Sequence, residues 1–419
     1  MKYKKRITDK EIEMKLEASG ALLIRGPKSC GKTESAKQFA NSILNVDQNE
    51  QVSLLMDISP QQLLVGKTPR LIDEWQEQPK IWNYVRHEVD NRSKPSQFIL
   101  TGSSNPVESI KMHSGAGRFT IVNMRTMSWI ELGFSTGKIS MNDLFKSPEK
   151  KIDIIDKQLD LEFIIEKIIT GGFPTLLGKK LSHIIHLNQT YIDLLTEVDM
   201  SRVSHVKRNP IKVGKLLKSI ARNTATIVNT KTLESDIQKK ENTSISTPTI
   251  DEYLDALKRL MIIEEQPAWN THIRSSASLR KTPKLHFTDV SLSVATLKGD
   301  SETLFNDIKF TGFLFESLVI HELRVYAQAN NAKVYHYRDS YGLEIDAIVE
   351  KYNGDWMAFE IKLGIGQIEE AAKNLNIFAS RIDNTKVKPP KSLNIITGTG
   401  MSFTRKDGIN VISIASFGP

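Results

Sequence analysis

Ala21-Leu22-Leu23-Ile24-Arg25-Gly26-Pro27-Lys28-Ser29-Cys30-Gly31-Lys32-Thr33 is the stretch on which the reading of this chain turns. An apolar run of strand length ends at Gly26, and a helical pattern is expected from Glu34 to Leu44. Between them, Gly26 to Thr33 satisfies G-x-x-x-x-G-K-[ST] at every fixed position. Glycines let the backbone turn tightly enough for successive N–H groups to converge, and phosphate oxygens are natural acceptors for such a nest. Gly26, Pro27, Lys28, Ser29, Cys30, Gly31, Lys32 and Thr33 are therefore expected to cradle the phosphates of ATP. Lys32 is expected to reach the β- and γ-phosphates, and the Thr33 hydroxyl to hold Mg²⁺. A chance glycine-rich loop is the competing reading, and the strand before and helix after argue against it.

Working outward, Leu71-Ile72-Asp73-Glu74 supplies the partner acids. Asp73 at a strand end would hold Mg²⁺ through water, and Glu74 would polarise the attacking water. Because Pro69 and Arg70 shorten the apolar run, an exposed acidic pair stays open. Ser96 to Thr101 reads as another strand, with Ser103, Ser104 and Asn105 just past its end, where open α/β sheets bind ligands. Asn105, Ser103 or Ser104 is a candidate γ-phosphate contact, and Ser-Asn-Pro is equally an ordinary turn. Arg118 is a candidate arginine finger or a solvated arginine. Cys30 lies inside the loop, either activated by local positive potential or a passive filler. Ser53 to Asp57 is expected to be a strand and Ile81 to Asn91 a helix.

Composition narrows the class. The 419 residues suffice for two or three domains, and 39% hydrophobic with 25% charged residues is ordinary for a globular protein. No apolar run is long enough to span a membrane; Leu161 to Ile169 is broken by Glu162, Glu166 and Lys167. The basic N-terminus lacks an apolar segment behind it, so a cytoplasmic location fits. A single cysteine excludes an internal disulfide framework and any multi-cysteine zinc site. The +8 net charge is compatible with nucleic acid without pointing to it. The nine histidines show no metal-ligand spacing.

After Gly137 the texture changes. Lys146 to Lys157 reads as a charged surface connection or short helix. A helical region then runs to Leu260, broken at Gly171-Gly172-Phe173-Pro174. Ile211–Arg222, Leu233–Gln238 and Ile250–Leu260 read as three short helices. Ile262 to Glu265 and Lys284 to Phe287 read as two strands flanking a basic wing of Arg274, Arg280 and Lys281. A winged helix puts its third helix into the major groove. Here that helix carries Asp251, Glu252 and Asp255, which repel phosphate, so protein packing competes with DNA readout. The last third returns to α/β, with a helix from Gly312 to Asn330 and strands at Lys333–Tyr337, Glu344–Val349, Trp356–Ile361 and Leu393–Thr397. Alternation sets Glu360 and Lys362 on one face, and the 344–361 hairpin can bring Asp346 opposite Glu360. Two carboxylates and a lysine on a strand pair can hold a divalent metal and orient a water.

Together these residues resemble the prokaryotic AAA-type ATPases that carry a C-terminal domain of unknown function. The resemblance runs through Arg6-Ile7-Thr8-Asp9-Lys10, the phosphate loop, Ile72-Asp73-Glu74-Trp75-Gln76, Thr101-Gly102-Ser103-Ser104 and Gly117-Arg118. It continues in Met127-Ser128-Trp129-x-Glu131, Gly171-Gly172-Phe173-Pro174, Pro283-Lys284-Leu285-His286-Phe287-x-Asp289 and Gly312-x-x-Phe315-Glu316. It implies an α/β protein in parts: a P-loop NTPase domain at 1–137, a helical connection at 138–205, a winged-helix-like domain at 206–300 and a restriction-endonuclease-like domain at 301–419. In the last, Asp346, Glu360 and Lys362 match the PD-(D/E)xK nuclease positions, and Glu316 would add a carboxylate to the metal set. The expected function is a Mg²⁺-dependent ATPase coupled to a DNA-interacting, nuclease-like domain. The alternative is a nucleotide-dependent switch or scaffold that binds a partner protein and cuts nothing; the resemblance to AAA-type modules, which often form rings, also leaves a homo-oligomer open.

Overall fold

Five short strands at the N-terminal end form one parallel sheet: β1 (Ala21–Arg25), β2 (Ser42–Asn45), β3 (Arg70–Asp73), β4 (Phe98–Gly102) and β5 (Phe119–Asn123), in the order β2-β3-β4-β1-β5. This computed structural model describes residues 3–48, 50–103, 115–156, 159–203, 208–270, 282–398 and 400–419. The strands read as continuous apolar runs because helices cover both faces, as parallel sheets require. Leu22, Ile24, Leu71, Ile99 and Val122 face one core, while Leu23, Ile72, Phe98 and Leu100 face the other. Parallel register brings every strand's C-terminal end to one edge: Asp73 pairs with Thr101, and Thr101 with Ile24.

Two local expectations are corrected. The helix after the phosphate loop covers only Lys32–Lys37, and Ser42 to Leu44 lies in strand β2, paired with β3. Ser53 to Asp57 lies in the helix Gln51–Ile58, with Val52 and Met56 buried one turn apart. A short apolar run carries no period of its own, so the strand position went to the segment that could pair with β3.

The connection at 138–157 is also different from its expected form. Ile139–Ser140 (β6) pairs with a strand at the extreme C-terminus, and Asp153–Ile155 (β7) joins the edge of the C-terminal sheet. The helical middle contains Pro210–Arg222, Thr230–Glu241 and Thr247–Arg259, followed by the antiparallel pair β8 (Ile263–Gln266) and β9 (Lys284–Phe287). Arg274, Arg280 and Lys281 of the expected wing lie outside the described residues.

The C-terminal body is a mixed sheet built from β10 (Ala332–Arg338), β11 (Glu344–Lys351), β12 (Trp356–Lys362), β13 (Leu393–Thr397), β14 (Met401–Thr404) and β15 (Asn410–Ser413), with β7 on its far edge. A final strand, β16 (Phe417–Gly418), pairs with β6. The long helix Ile308–Ala329 covers one face through Leu314, Phe315 and Leu318, and the helix Ile368–Arg381 covers the other through Ala371, Leu375 and Phe378. No helix among the described residues is long and apolar enough to cross a membrane.

Candidate functional site

The phosphate loop closes because two of its positions cannot carry a side chain. A Cβ on Gly26 would stand 2.2 Å from the Met124 carbonyl oxygen, and Gly31 has φ +101°, which L residues rarely adopt. The loop curls round Lys32, which is buried and donates to the carbonyls of Gly26 (3.0 Å) and Pro27 (2.9 Å). Thr33 follows at once and donates to Asp73 Oδ1 at 2.9 Å. Thr101, the register neighbour of Asp73 on β4, donates to that same oxygen. Glu74 sits in left-handed backbone (φ 53°) just past β3, bonded to the Gln76 amide, and burial pushes its carboxyl up despite Lys32 nearby. Lys32, Thr33, Asp73 and Glu74 thus converge at the carboxyl edge of the sheet, and a cationic amine, a hydroxyl and two acids there suit a Mg²⁺-bound polyphosphate.

The rest of the chain grips this loop. Arg6 donates to the Cys30 carbonyl (2.9 Å) and the Arg125 carbonyl (2.8 Å) while pairing with Glu131 (3.0 Å), both side chains buried. Lys28 is paired with Asp199 at 2.5 Å, and the Tyr191 hydroxyl lies 3.5 Å from the Lys28 carbonyl. Burial raises the Tyr191 phenol far above its usual range, so it stays neutral. Cys30 is buried beside Met124, in the packing of the loop.

A second cluster of charge sits in an open cavity of about 420 Å³ on the C-terminal body. Asp346 on β11 and Glu360 on β12 are adjacent, since Ala347 pairs with Phe359 and the register continues toward them. A bulge in β11 against β10 falls between Ile345 and Ile348, a device that re-aims a side chain. Asp346 Oδ2 accepts from the Ile361 amide (2.8 Å) and Lys362 Nζ (3.3 Å); Lys362 also pairs with Glu360 at 2.6 Å. Glu316 from the long helix enters the same cavity. The fourth wall comes from the middle segment: Lys284 on β9 pairs with Glu316 (2.8 Å) and Glu344 (2.9 Å). Burial and the charge of Asp346 push the Glu360 carboxyl well up, and Glu360 Oε1 has no hydrogen-bond partner. That orphaned oxygen suits a cation or a proton. Yet among the described residues no group of three or more His, Cys, Asp or Glu is arranged to hold a metal ion. The acids of this pocket face ammonium groups instead.

Comparison with known proteins finds likenesses along most of this architecture. Residues 18–133 match an AAA domain. The N-terminal part is thus a P-loop ATPase-like domain. Residues 161–303 and 311–417 match two domains of unknown function, DUF8612 and DUF4143. Uncharacterized proteins of Mycobacterium bovis and Mycobacterium tuberculosis are 21% identical over 352 residues, covering 83% of this chain and 71% of theirs. Among solved structures, a Walker-type ATPase of Pyrococcus abyssi is 12% identical, covers 69% of this chain and 94% of its own, and has a TM-score of 0.41. A DNA polymerase III gamma subunit-related protein of Thermotoga maritima is 11% identical, covers 61% and 100%, and has a TM-score of 0.22.

Within the AAA domain the expected site residues divide. The loop 26–33, Asp73 and Glu74 are brought together. Arg118 is not: its carbonyl accepts from Ala21, at the start of β1, while the loop leaves the other end. The five residues of β1 put roughly 16 Å of strand between them. Arg118 pairs at the exposed surface with Asp90 at 2.8 Å. Ser104 and Asn105 lie outside the described residues. Sequence reasoning missed Thr101 as the partner of Asp73, Asp199 as the partner of Lys28, and Lys284 and Glu344 in the carboxylate pocket. Thr101 follows from parallel register once the strand order is known; for the other three, no local pattern marks a contact across so much chain.

Proposed function

We propose that this chain binds and hydrolyses ATP with Mg²⁺ at the loop 26–33, and that its C-terminal body is a nuclease-like module that engages DNA. One observation carries the first part: the Lys32 ammonium is already turned into the loop on the Gly26 and Pro27 carbonyls, beside Thr33 and Asp73. An incoming phosphate would take the ammonium from those carbonyls, exchanging neutral acceptors for charged ones. Thr33 and Asp73 are the residues that would hold Mg²⁺, which when bound withdraws charge from the phosphate oxygens. Glu74 stands near Lys32 with a carboxyl raised by burial, and it would take a proton from, or orient, the attacking water. Fluorescent nucleotide titration and phosphate release test this. Lys32→Ala should lose both, and a Lys32→Ala chain that keeps wild-type affinity and turnover would refute it.

The nuclease-like reading is supported by the meeting of Asp346, Glu360, Lys362 and Glu316 in one cavity. The three middle helices with the β8–β9 pair support a winged-helix-like reading of that segment. The helix Thr247–Arg259 turns its acids to neighbours, Asp251 to Thr230 and Glu252 to Arg208, so a groove-reading role gains nothing from them. The non-cleaving switch is favoured by a specific observation too, the pairing of the pocket acids with Lys284 and Lys362. Cleavage of linear, plasmid and single-stranded DNA with Mg²⁺ or Mn²⁺, lost in Asp346→Ala and Glu360→Ala, would decide for the nuclease. Intact DNA throughout, with ATP turnover raised only by a protein partner, would decide for the switch.

A further inference from the structure

Strands β8 and β9 present their two faces very differently. By register, Ile263 lies opposite Phe287 and Glu265 opposite Leu285, and the apolar members join the core of the middle segment. On the other face Glu264 lies opposite His286 and Gln266 opposite Lys284. An alternating strand of this kind ordinarily shows its polar side to water. Here Gln266, Lys284 and His286 are each at most 1% exposed. The polar face is pressed onto the C-terminal body: His286 bonds Ser317 (3.1 Å) and Gln266 (3.0 Å), and the Gln266 amide donates to the carbonyls of Tyr335 and Asp346.

Lys284 is the deepest charge on that face. Its ammonium bridges a carboxylate of the long helix, Glu316, and one of β11, Glu344, with Asp346 close enough to stabilise the charged form. A buried ammonium is strongly unfavourable unless acids surround it, and several buried acids are unfavourable unless a cation joins them. Each therefore answers the other. A cation held by carboxylates from separate elements is what a divalent ion would be in this cavity.

We propose that Lys284 is a built-in counter-ion occupying the cation position of the carboxylate pocket, so that the pocket is closed to a divalent metal while the β8–β9 hairpin is seated. The seat reaches the AAA domain: Arg125, just past β5, makes a bidentate pair with Glu264 at 2.8 and 2.9 Å, and Arg324 of the long helix stands 3.6 Å from the same carboxylate. The hairpin that carries Lys284 is thus pinned at its other polar pair to the sheet holding the phosphate loop. This inference rests on the pocket being a metal-using one when open, and its test reads metal rather than cleavage.

The experiment is Mn²⁺ binding to the full chain without nucleotide, followed by the electron paramagnetic resonance of free Mn²⁺. Lys284→Met should bind Mn²⁺ at least about tenfold more tightly than wild type, and the gain should vanish in Lys284→Met/Asp346→Asn. A folded Lys284→Met chain with wild-type Mn²⁺ affinity overturns the proposal, as does Mn²⁺ binding to none of the chains. If Lys284→Met does not fold, hydrogen exchange in the wild type decides. Mn²⁺ high enough to fill the pocket should speed exchange at 284–287, and unchanged exchange at that Mn²⁺ concentration overturns the proposal. Tight Mn²⁺ binding by Lys284→Met with intact DNA would refute cleavage while leaving the counter-ion role standing.

Discussion

Lys28 of the phosphate loop and Asp199 of the helical middle form an ion pair 2.5 Å long, although 171 residues of chain separate them. It places an acid against the loop that must receive a polyphosphate, so nucleotide and Asp199 compete for one ammonium. Since Lys28 is 42% exposed, solvent screens the pair and its worth is modest. Asp199→Asn should tighten ATP binding by about twofold to fivefold at low salt, with the gain fading as salt rises. Nucleotide titration at two ionic strengths checks it; weaker binding in the variant would show that Asp199 supports the loop instead of competing with it.

The break at Gly171-Gly172-Phe173-Pro174 is a contact between segments and not a flexible link. A Cβ on Gly172 would fall 2.2 Å from the Met127 carbonyl oxygen, and one on Gly171 would fall 2.1 Å from Asp289 Oδ1. The Gly172 amide donates to Asp289 at 2.8 Å, and its carbonyl accepts from Met127. Pro174 lies beside Gly31, so this junction also backs the phosphate loop. Gly172→Ala should cost about 1–3 kcal/mol through overpacking. Thermal unfolding compared with Gly364→Ala, whose Cβ would meet no neighbour and whose backbone is extended at φ −114°, isolates the steric part.

These contacts explain what the sequence could and could not show. The phosphate loop, Asp73 and the 344–361 hairpin were legible because each is local: a spacing, a strand end, an alternation. The Ser53–Asp57 run was misread because an apolar stretch that short has no period to read. Strand β7 was hidden by the charges of Lys150, Lys151 and Asp153, and Ile152 and Ile154 reveal it only when β14 supplies a partner. Lys284 and His286 were visible as an alternating strand, but alternation implies a wet polar face. That the face is dry depends on the long helix, placed beside it by tertiary packing.

His286 gives that dry face a pH signature. Burial, reinforced by Arg324 and Lys284, pushes its imidazole well below the ordinary 6.5. The Gln266 amide nitrogen is used on two carbonyls, so its oxygen accepts from His286 Nε2–H, and Nδ1 accepts from the Ser317 hydroxyl. The folded chain therefore holds His286 neutral, while the unfolded chain protonates it below pH 6.5. The folded state binds fewer protons there, so stability is full above about pH 6.5 and falls as pH drops toward the folded pKa. The slope from this group is at most about 1.4 kcal/mol per pH unit. Denaturant unfolding at pH 7.5 and 5.5 should show a smaller difference in His286→Gln than in wild type; an equal difference would place the sensitivity elsewhere.

Glu74 separates binding from turnover. It lies outside the loop that would grip the phosphates, in left-handed backbone that carries its carboxyl past the end of β3 toward Lys32. Its carboxyl accepts from the Gln76 side-chain amide and touches neither Thr33 nor Asp73 through a hydrogen bond among the described residues, so a neutral replacement leaves the loop, Thr33 and Asp73 in place. Glu74→Gln should therefore keep ATP affinity within about twofold while lowering turnover by about 10²-fold or more, the range for loss of a general base. Asp73→Asn, by contrast, keeps an amide oxygen for Thr33 and Thr101 but removes the carboxylate charge, and should weaken the Mg²⁺ dependence of binding itself. Affinity and phosphate release measured side by side on the two variants check the division. If Glu74→Gln turns over at the wild-type rate, the water is oriented by another group, and Glu74 is structural.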